Sequence, residues 1–298
     1  MEDKPLILVT NDDGIDSMGL WAVVEAVLPL GDILVAAPDR EWSGGGRSMP
    51  PDLTGDIKAV EPKVDSKRVE AYALDASPAL AVVCAMLKLA RRRPALVVSG
   101  VNRGLNVGVE VTISGTVGAA LEAAAFQIPA LAVSLDIPQT QDVTGDGGID
   151  YTAARAFTRR FARQLCGGSV LPADVGVLNI NVPYEATPET PWRLARLSRQ
   201  RYWVPRDPGR HGEDGYFAYS CVRKVKASEL GSDVRTIRVD GMVSVTPLSL
   251  DLTSRVAFAE YGEGYDHQHV ARITELLDIA YDGDLDPALV PLVAGAGE

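Results

Sequence analysis

Cysteine and histidine are scarce in this chain, three of each in 298 residues. Cys84, Cys166 and Cys221 are far apart, odd in number and never in C-x-x-C spacing. That excludes a disulfide framework and a thiolate zinc cage, and it fits a reducing, cytoplasmic setting. His211 stands alone. His267 and His269 form an H-x-H without a carboxylate at metal-ligand spacing, so all three read as solvated polar residues. Basic residues are in deficit: 29 Lys and Arg against 40 Asp and Glu give a formal charge of −11. This balance argues against a nucleic-acid polymer or an anionic membrane as the main partner. It leaves room for a small anion, because a bound cation reverses the charge locally. Long apolar runs are missing too. The nearest, Ala123 to Leu135, contains Gln127 and Pro129 and falls short of the roughly 18 residues a membrane span needs. The start, Met1-Glu2-Asp3-Lys4, has no basic region before its apolar run, so no secretory signal is expected.

What is present is ordinary globular material, 46% apolar and 23% charged, enough to bury a core. Strand-like and helix-like segments alternate over the first two thirds. Leu6 to Thr10, Ile33 to Ala37, Val69 to Leu74, Ala95 to Val98, Ala130 to Leu135 and Val175 to Asn181 read as strands. Ser17 to Leu28, Pro78 to Arg93, Thr116 to Phe126 and Tyr151 to Leu165 read as helices. Arg91, Arg92 and Arg93 are expected at the end of the second helix, where its dipole favours cations. This alternation predicts an α/β fold, a mostly parallel sheet covered by helices on both faces. Residues 183–215 are rich in Pro, Arg and Gly. Val222 to Val245 reads as alternating strands around a turn at Gly231-Ser232, so residues 183–245 are expected to leave the core as a hairpin arm. We expect one α/β domain over residues 1–255 and a tail over 256–298 with one helix, Val270 to Ile279.

In open α/β sheets, ligands sit beyond the carboxyl ends of the strands. After the first strand comes Asn11-Asp12-Asp13-Gly14. Adjacent carboxylates repel unless a cation compensates. The same tetrapeptide also suits a plain polar turn with Asp as a helix cap. After the second strand, residues 39–48 carry Ser43 and three glycines, suited to an anion contact or to an open surface loop. After the third comes Ser99-Gly100-Val101-Asn102-Arg103-Gly104-Leu105-Asn106-Val107-Gly108, which is neither a dinucleotide fingerprint nor a P-loop. Ser114-Gly115-Thr116 opens a helix and offers either a phosphate site or an ordinary Ser cap. Together, two carboxylates, a hydroxyl and an amide make an all-oxygen set that suits Mg²⁺, Mn²⁺ or Ca²⁺ rather than zinc. A divalent ion beside a phosphate cradle points to phosphoryl transfer or hydrolysis. Arg199, Arg201, Arg206 and Arg210, interleaved with Tyr202 and Trp203, suit a base-stacking or RNA-contacting loop or a subunit interface. No G-x-S-x-G nucleophile elbow is present.

In order and text these segments resemble the SurE family of metal-dependent survival-protein nucleotidases. The resemblance is carried by Ile7 to Ile15, Ala37 to Gly44, Val97 to Gly104 with Asn106 and Gly108, Ser114 to Ala120, and Val243 to Leu248. It implies a Rossmann-like three-layer core and one divalent cation per subunit, Mg or Mn. It implies hydrolysis of nucleoside 5′- and 3′-monophosphates. Asp12, Asp13, Ser43 and Asn102 would be the metal ligands, with Asp12 and Asp13 catalytic. Asn106, Ser114, Gly115 and Thr116 would border the phosphate. A homodimer or homotetramer built by arm exchange is also implied. The chain departs from the family pattern at Ala76-Ser77-Pro78, at Ile113 where a Tyr is common, and at Leu121-Glu122-Ala123. The alternatives are a phosphatase for another substrate, such as short polyphosphate or a sugar phosphate, or a nucleotide sensor without turnover.

Overall fold

The computed structural model describes residues 4–137, 148–206, 218–221 and 225–252. The elements below belong to one compact unit that ends at Leu250. Strand β1 (Leu6–Thr10) leads into α1 (Met18–Val27), which Ser17 caps by accepting from the Gly19 N–H. Then follow β2 (Asp32–Pro38), β3 (Ile57–Val60), β4 (Val69–Leu74) and α2 (Pro78–Cys84). Next come β5 (Leu96–Arg103), α3 (Gly115–Ala125), β6 (Ala130–Leu135), α4 (Thr152–Cys166) and β7 (Val177–Val182). The last described elements are β8 (Trp192–Leu194), β9 (Trp203–Arg206), β10 (Ala218–Cys221), α5 (Asp233–Arg238) and β11 (Val243–Leu248).

Nine strands form one sheet in the order β3-β4-β2-β1-β5-β6-β7-β11-β8, and β9 and β10 form a separate antiparallel pair. The central strands run parallel; β3 pairs antiparallel with β4, and β11 with β7. The chain winds outward from β1 through β2, then restarts on the other side at β5. The strand order therefore reverses between β1 and β5, and the crevice for a ligand opens there.

The apolar strands split their side chains between two cores, as a two-residue period requires. Ile7, Val9, Ile33, Val35, Leu131 and Val133 face the core that includes α1 and α4. Leu8, Leu34, Ala36, Ala130 and Ala132 face the core that includes α2 and α3. Each buried Val or Leu contributes about 1.5–3 kcal/mol. Helix α3 meets the sheet through Ala119, Ala120 and Ala123, which lets its backbone approach closely. That closeness governs the site. A third, smaller cluster holds Leu105, Val107, Tyr202, Val234 and Ile237. It fastens the segment after β7 onto the loop after β5.

Three expectations need correction. The helix from Pro78 is α-helical only to Cys84, then passes through a wider π-helical turn at Ala85–Leu89. Arg91, Arg92 and Arg93 therefore lie beyond it. Their charge is spent elsewhere: Arg92 pairs with Asp32 at 2.7 Å, and Arg93 donates to the carbonyls of Phe126 and Gln127. The third central strand does not stop at Val98 but runs to Arg103, with a register shift between Ser99 and Asn102. One extra residue there re-aims the strand's side chains, as bulges do beside active sites. Gly231-Ser232 is no hairpin turn. Ser232 caps α5 by accepting from the Arg235 N–H. The antiparallel pair in this region is instead β9 with β10. The expected helix Val270 to Ile279, together with Arg210, His211, His267 and His269, lies outside the described residues.

Candidate active site

The loop after β1 is locked by its own polar groups. Asn11 Nδ2 donates to the Gly14 carbonyl at 2.9 Å, and the Ser17 N–H donates to the same oxygen at 3.1 Å. Gly14 has φ +95°, a left-handed turn that other residues rarely adopt, and a β-carbon there would fall 3.3 Å from the Arg40 carbonyl group. The loop after β2 is stitched to the first one: the Trp42 N–H donates to the Asp12 carbonyl at 2.8 Å. It is also stitched to the turn just before α3, because the Gly46 N–H donates to the Ile113 carbonyl at 2.9 Å.

These contacts bring most of the expected residues together. A cleft of about 350 Å³ is lined by Asp12, Ser43, Asn102, Asn106 and Ser114, and also by Arg103, Leu105, Glu110, Ile113 and Trp203. Asp13 lies buried beside it; its Oδ1 sits 3.6 Å from the Arg103 Nε. The first two strand ends thus supply carboxylates and Ser43, β5 supplies Asn102 and Arg103, and α3 closes the far side.

Asp12 is 5% exposed. The Thr116 hydroxyl donates to its Oδ1 at 2.6 Å. Gly115 is dictated by this approach: a β-carbon there would fall 2.7 Å from Asp12 Cβ and 2.8 Å from Oδ2. Burial raises the pKa of Asp12, against the hydrogen bonds from Thr116. Asp13 is pushed up to about 7, first by burial and then by the Asp12 charge, while Arg103 pulls it down. Its Oδ2 is buried without a hydrogen-bond partner.

The remaining donors are oriented from behind. Asn102 Nδ2 donates to the Gly104 carbonyl at 2.8 Å, which leaves its Oδ1 as the atom to offer a cation. Ser43 Oγ, exposed at the rim, bonds Glu41 Oε1 at 2.7 Å. Asn106 is clamped on both sides. Its N–H donates to Asn181 Oδ1, its carbonyl accepts from Asn179 and Asn181, and its Nδ2 donates to Ser134 Oγ at 2.9 Å and Thr116 Oγ1 at 3.3 Å. Ser114 Oγ accepts from the Val117 N–H and so caps α3.

A divalent cation fits this donor set. The partnerless Oδ2 of Asp13, next to a second buried carboxylate, is a costly arrangement without a positive charge, and the donors are oxygens. Among the described residues no three His, Cys, Asp or Glu side chains converge, so a metal here relies on Ser and Asn to complete its ligands.

One expected residue acts differently from the simplest expectation. Thr116 is fully buried, and its hydroxyl is spent on Asp12. Sequence reasoning missed Arg103, Leu105 and Glu110. Glu110 carried no signal because its carboxylate is used by a segment 92 residues away, the Tyr202 N–H. Trp203 stood out only as part of a basic aromatic run. The structure separates that run: Tyr202 is buried, Trp203 lines the cleft, and Arg199 and Arg201 are exposed.

The family model described as Survival protein SurE matches residues 7–204. The 5′-nucleotidase SurE of Thermococcus kodakarensis is 39% identical over 255 residues, 85% of this chain and 96% of that protein. The 5′-nucleotidase SurE of Methanocella arvoryzae is 40% identical over 256 residues, 83% of this chain and 93% of its own length. Among solved structures, the SurE protein from Aquifex aeolicus aligns with a TM-score of 0.67 at 29% identity, covering 92% of this chain and all of the other. On the match across residues 7–204 and on relatives of this similarity and coverage, the chain belongs to the SurE family.

Proposed function

We propose that this chain is a divalent-metal-dependent nucleotidase that hydrolyses nucleoside 5′- and 3′-monophosphates to nucleoside and phosphate. The observation that carries the reading is the meeting of Asp12 and Asp13 with the start of α3 at the β1–β5 crevice. The relatives named 5′-nucleotidase supply the substrate class.

Asp12, Asp13, Ser43 and Asn102 are the ligand set for one cation, Mg²⁺ or Mn²⁺. When bound, that cation neutralises phosphate charge as the P–O bond breaks. The chain's own residues do the rest. Thr116 holds Asp12 in place through its hydroxyl. Asn106, fixed by five hydrogen bonds, borders the phosphate with Ser114 and the first amides of α3. Arg103 adds a guanidinium on the cleft wall. Leu105, Ile113 and Trp203 give the apolar wall a nucleoside needs.

The same reading includes a homodimer or homotetramer formed through residues 183–245, supported by the exposed Trp192 and Leu194 on strand β8 at the sheet's edge. It includes a cytoplasmic location, supported by the free thiols of Cys84 and Cys166. Among the described residues, no helix is long and apolar enough to cross a membrane.

The test is inorganic phosphate release from a panel of 5′- and 3′-monophosphates, with Mg²⁺ or Mn²⁺ and with EDTA. Turnover that EDTA abolishes is the expected result. Turnover only on polyphosphate or sugar phosphates, or none on any nucleotide, would contradict the reading.

A further inference from the structure

Among the described residues, Glu110 is the one carboxylate lining the cleft that the chemistry above does not use. It lies on a single 3₁₀ turn, Gly108–Thr112, four residues from Asn106 and four from Ser114. It is only 8% exposed, yet it lines the cleft. Its Oε2 accepts from the Tyr202 N–H at 3.1 Å, whereas its Oε1 is buried without a hydrogen-bond partner. A buried acceptor left unpaired costs about 1–3 kcal/mol, so such an atom is a place where a ligand donor is rewarded.

The turn is held rigidly. The Gly108 N–H donates to Asp233 Oδ2 at 2.8 Å, and the Ile113 N–H closes the turn on the Glu110 carbonyl at 3.0 Å. Beside it, Trp203 is fixed at two points. Its Nε1 donates to the Leu105 carbonyl at 3.1 Å, and its ring meets Tyr202 edge-on, 5.0 Å between centroids. A pinned indole in a cleft is a stacking platform for a base. In the chain Glu110 lies between Asn106 and Ser114, and it shares the cleft with both of them and with Trp203.

We propose that Glu110 Oε1 accepts a hydrogen bond from the 2′- or 3′-hydroxyl of ribose, which makes Glu110 a sugar-specificity residue of this site. A carboxylate accepts but cannot donate here, and it repels a second anionic group. The site therefore selects a hydroxyl-bearing sugar and disfavours substrates that carry further phosphates at that position. The inference rests on the nucleotidase reading and deepens it.

The experiment compares kcat and KM for adenosine 5′-monophosphate and its 2′,3′-dideoxy analogue, in the wild type and in Glu110→Gln. That substitution keeps the shape and an acceptor for Tyr202 but places a donor where Oε1 was. The wild type should prefer the ribonucleotide by about tenfold or more in kcat/KM, the scale of one charge-assisted hydrogen bond. In the variant the ratio should fall to within about twofold of one, the loss residing in KM for the ribonucleotide. Equal kcat/KM for both substrates in the wild type would overturn the proposal, whatever the variant does. So would a variant that keeps the preference, or one that weakens both substrates alike. Absence of turnover with any nucleotide contradicts the nucleotidase reading instead. The sugar is then tested by calorimetry with adenosine and 2′,3′-dideoxyadenosine, where equal affinity overturns the proposal.

Discussion

The two walls of the cleft are made in opposite ways. The wall bearing Asp12, Asp13, Ser43, Asn102 and Ser114 comes from strand ends and one helix start, each a short segment whose neighbours in sequence position it. The facing wall, with Trp203 and Glu110, depends on a segment that returns from beyond β7. Buried Asp233 ties the turn that carries Glu110 to the returning segment. Its Oδ2 accepts from the Gly108 N–H and its Oδ1 from the Ser198 N–H at 2.9 Å, joining stretches 125 and 35 residues away. Arg238 adds a second link, with both terminal nitrogens on Asp136 and its Nε donating to the Tyr202 hydroxyl at 2.6 Å. The proposed catalytic residues are thus positioned locally, and the proposed recognition wall is assembled at long range.

Four substitutions probe that division, in order of expected effect. Asp12→Asn removes charge from the local wall. We expect kcat to fall on the order of a thousandfold at saturating Mg²⁺, since a metal site supplies several kcal/mol to the transition state. Steady-state phosphate release measures it, and retained metal-dependent turnover would refute the ligand assignment. Gly115→Ala sets a methyl group against Asp12. Overpacking of this kind costs about 1–3 kcal/mol, so kcat should fall by at least about tenfold while the melting temperature drops. Asp233→Asn attacks the seam. One oxygen that now accepts from a backbone N–H becomes a donor, so denaturant unfolding should register a loss of about 1–3 kcal/mol. KM should rise more than kcat falls if the seam serves recognition. Tyr202→Phe removes only the hydroxyl that accepts from Arg238, and about 1 kcal/mol of stability should go with it. Equal effects of Asp233→Asn on kcat and KM would erase the division between the walls.

The same division explains what the sequence revealed. Strands β1, β4 and β6 were legible to the residue, β1 and β6 as apolar runs bounded by turns and β4 by its alternation. Ser114 announced its helix as a cap. Asp12, Ser43, Asn102, Asn106 and Ser114 could be placed in one cleft because the strand-end rule needs only element order. Strand β3 escaped notice: Ile57–Val60 is a four-residue edge strand, exposed at Lys58 and Ala59, that pairs with β4. Helix α5 was misread as part of an alternating strand region, although the apolar residues of its DVRTIR sequence, Val234 and Ile237, stand three apart, a helical spacing. Packing of Val234 and Ile237 against Leu105 and Val107 makes it helical. No local pattern encodes the Glu110 contact with Tyr202.

The central claim is that Asp12 and Asp13 hold a divalent cation in this cleft. Calorimetric titration of Mn²⁺ into metal-free protein, without substrate, tests it most directly. The account predicts one site per chain in the wild type and a loss of affinity of at least about a hundredfold in Asp13→Asn, since a charged ligand is removed from a buried pair. Equal Mn²⁺ binding by the two proteins would contradict it.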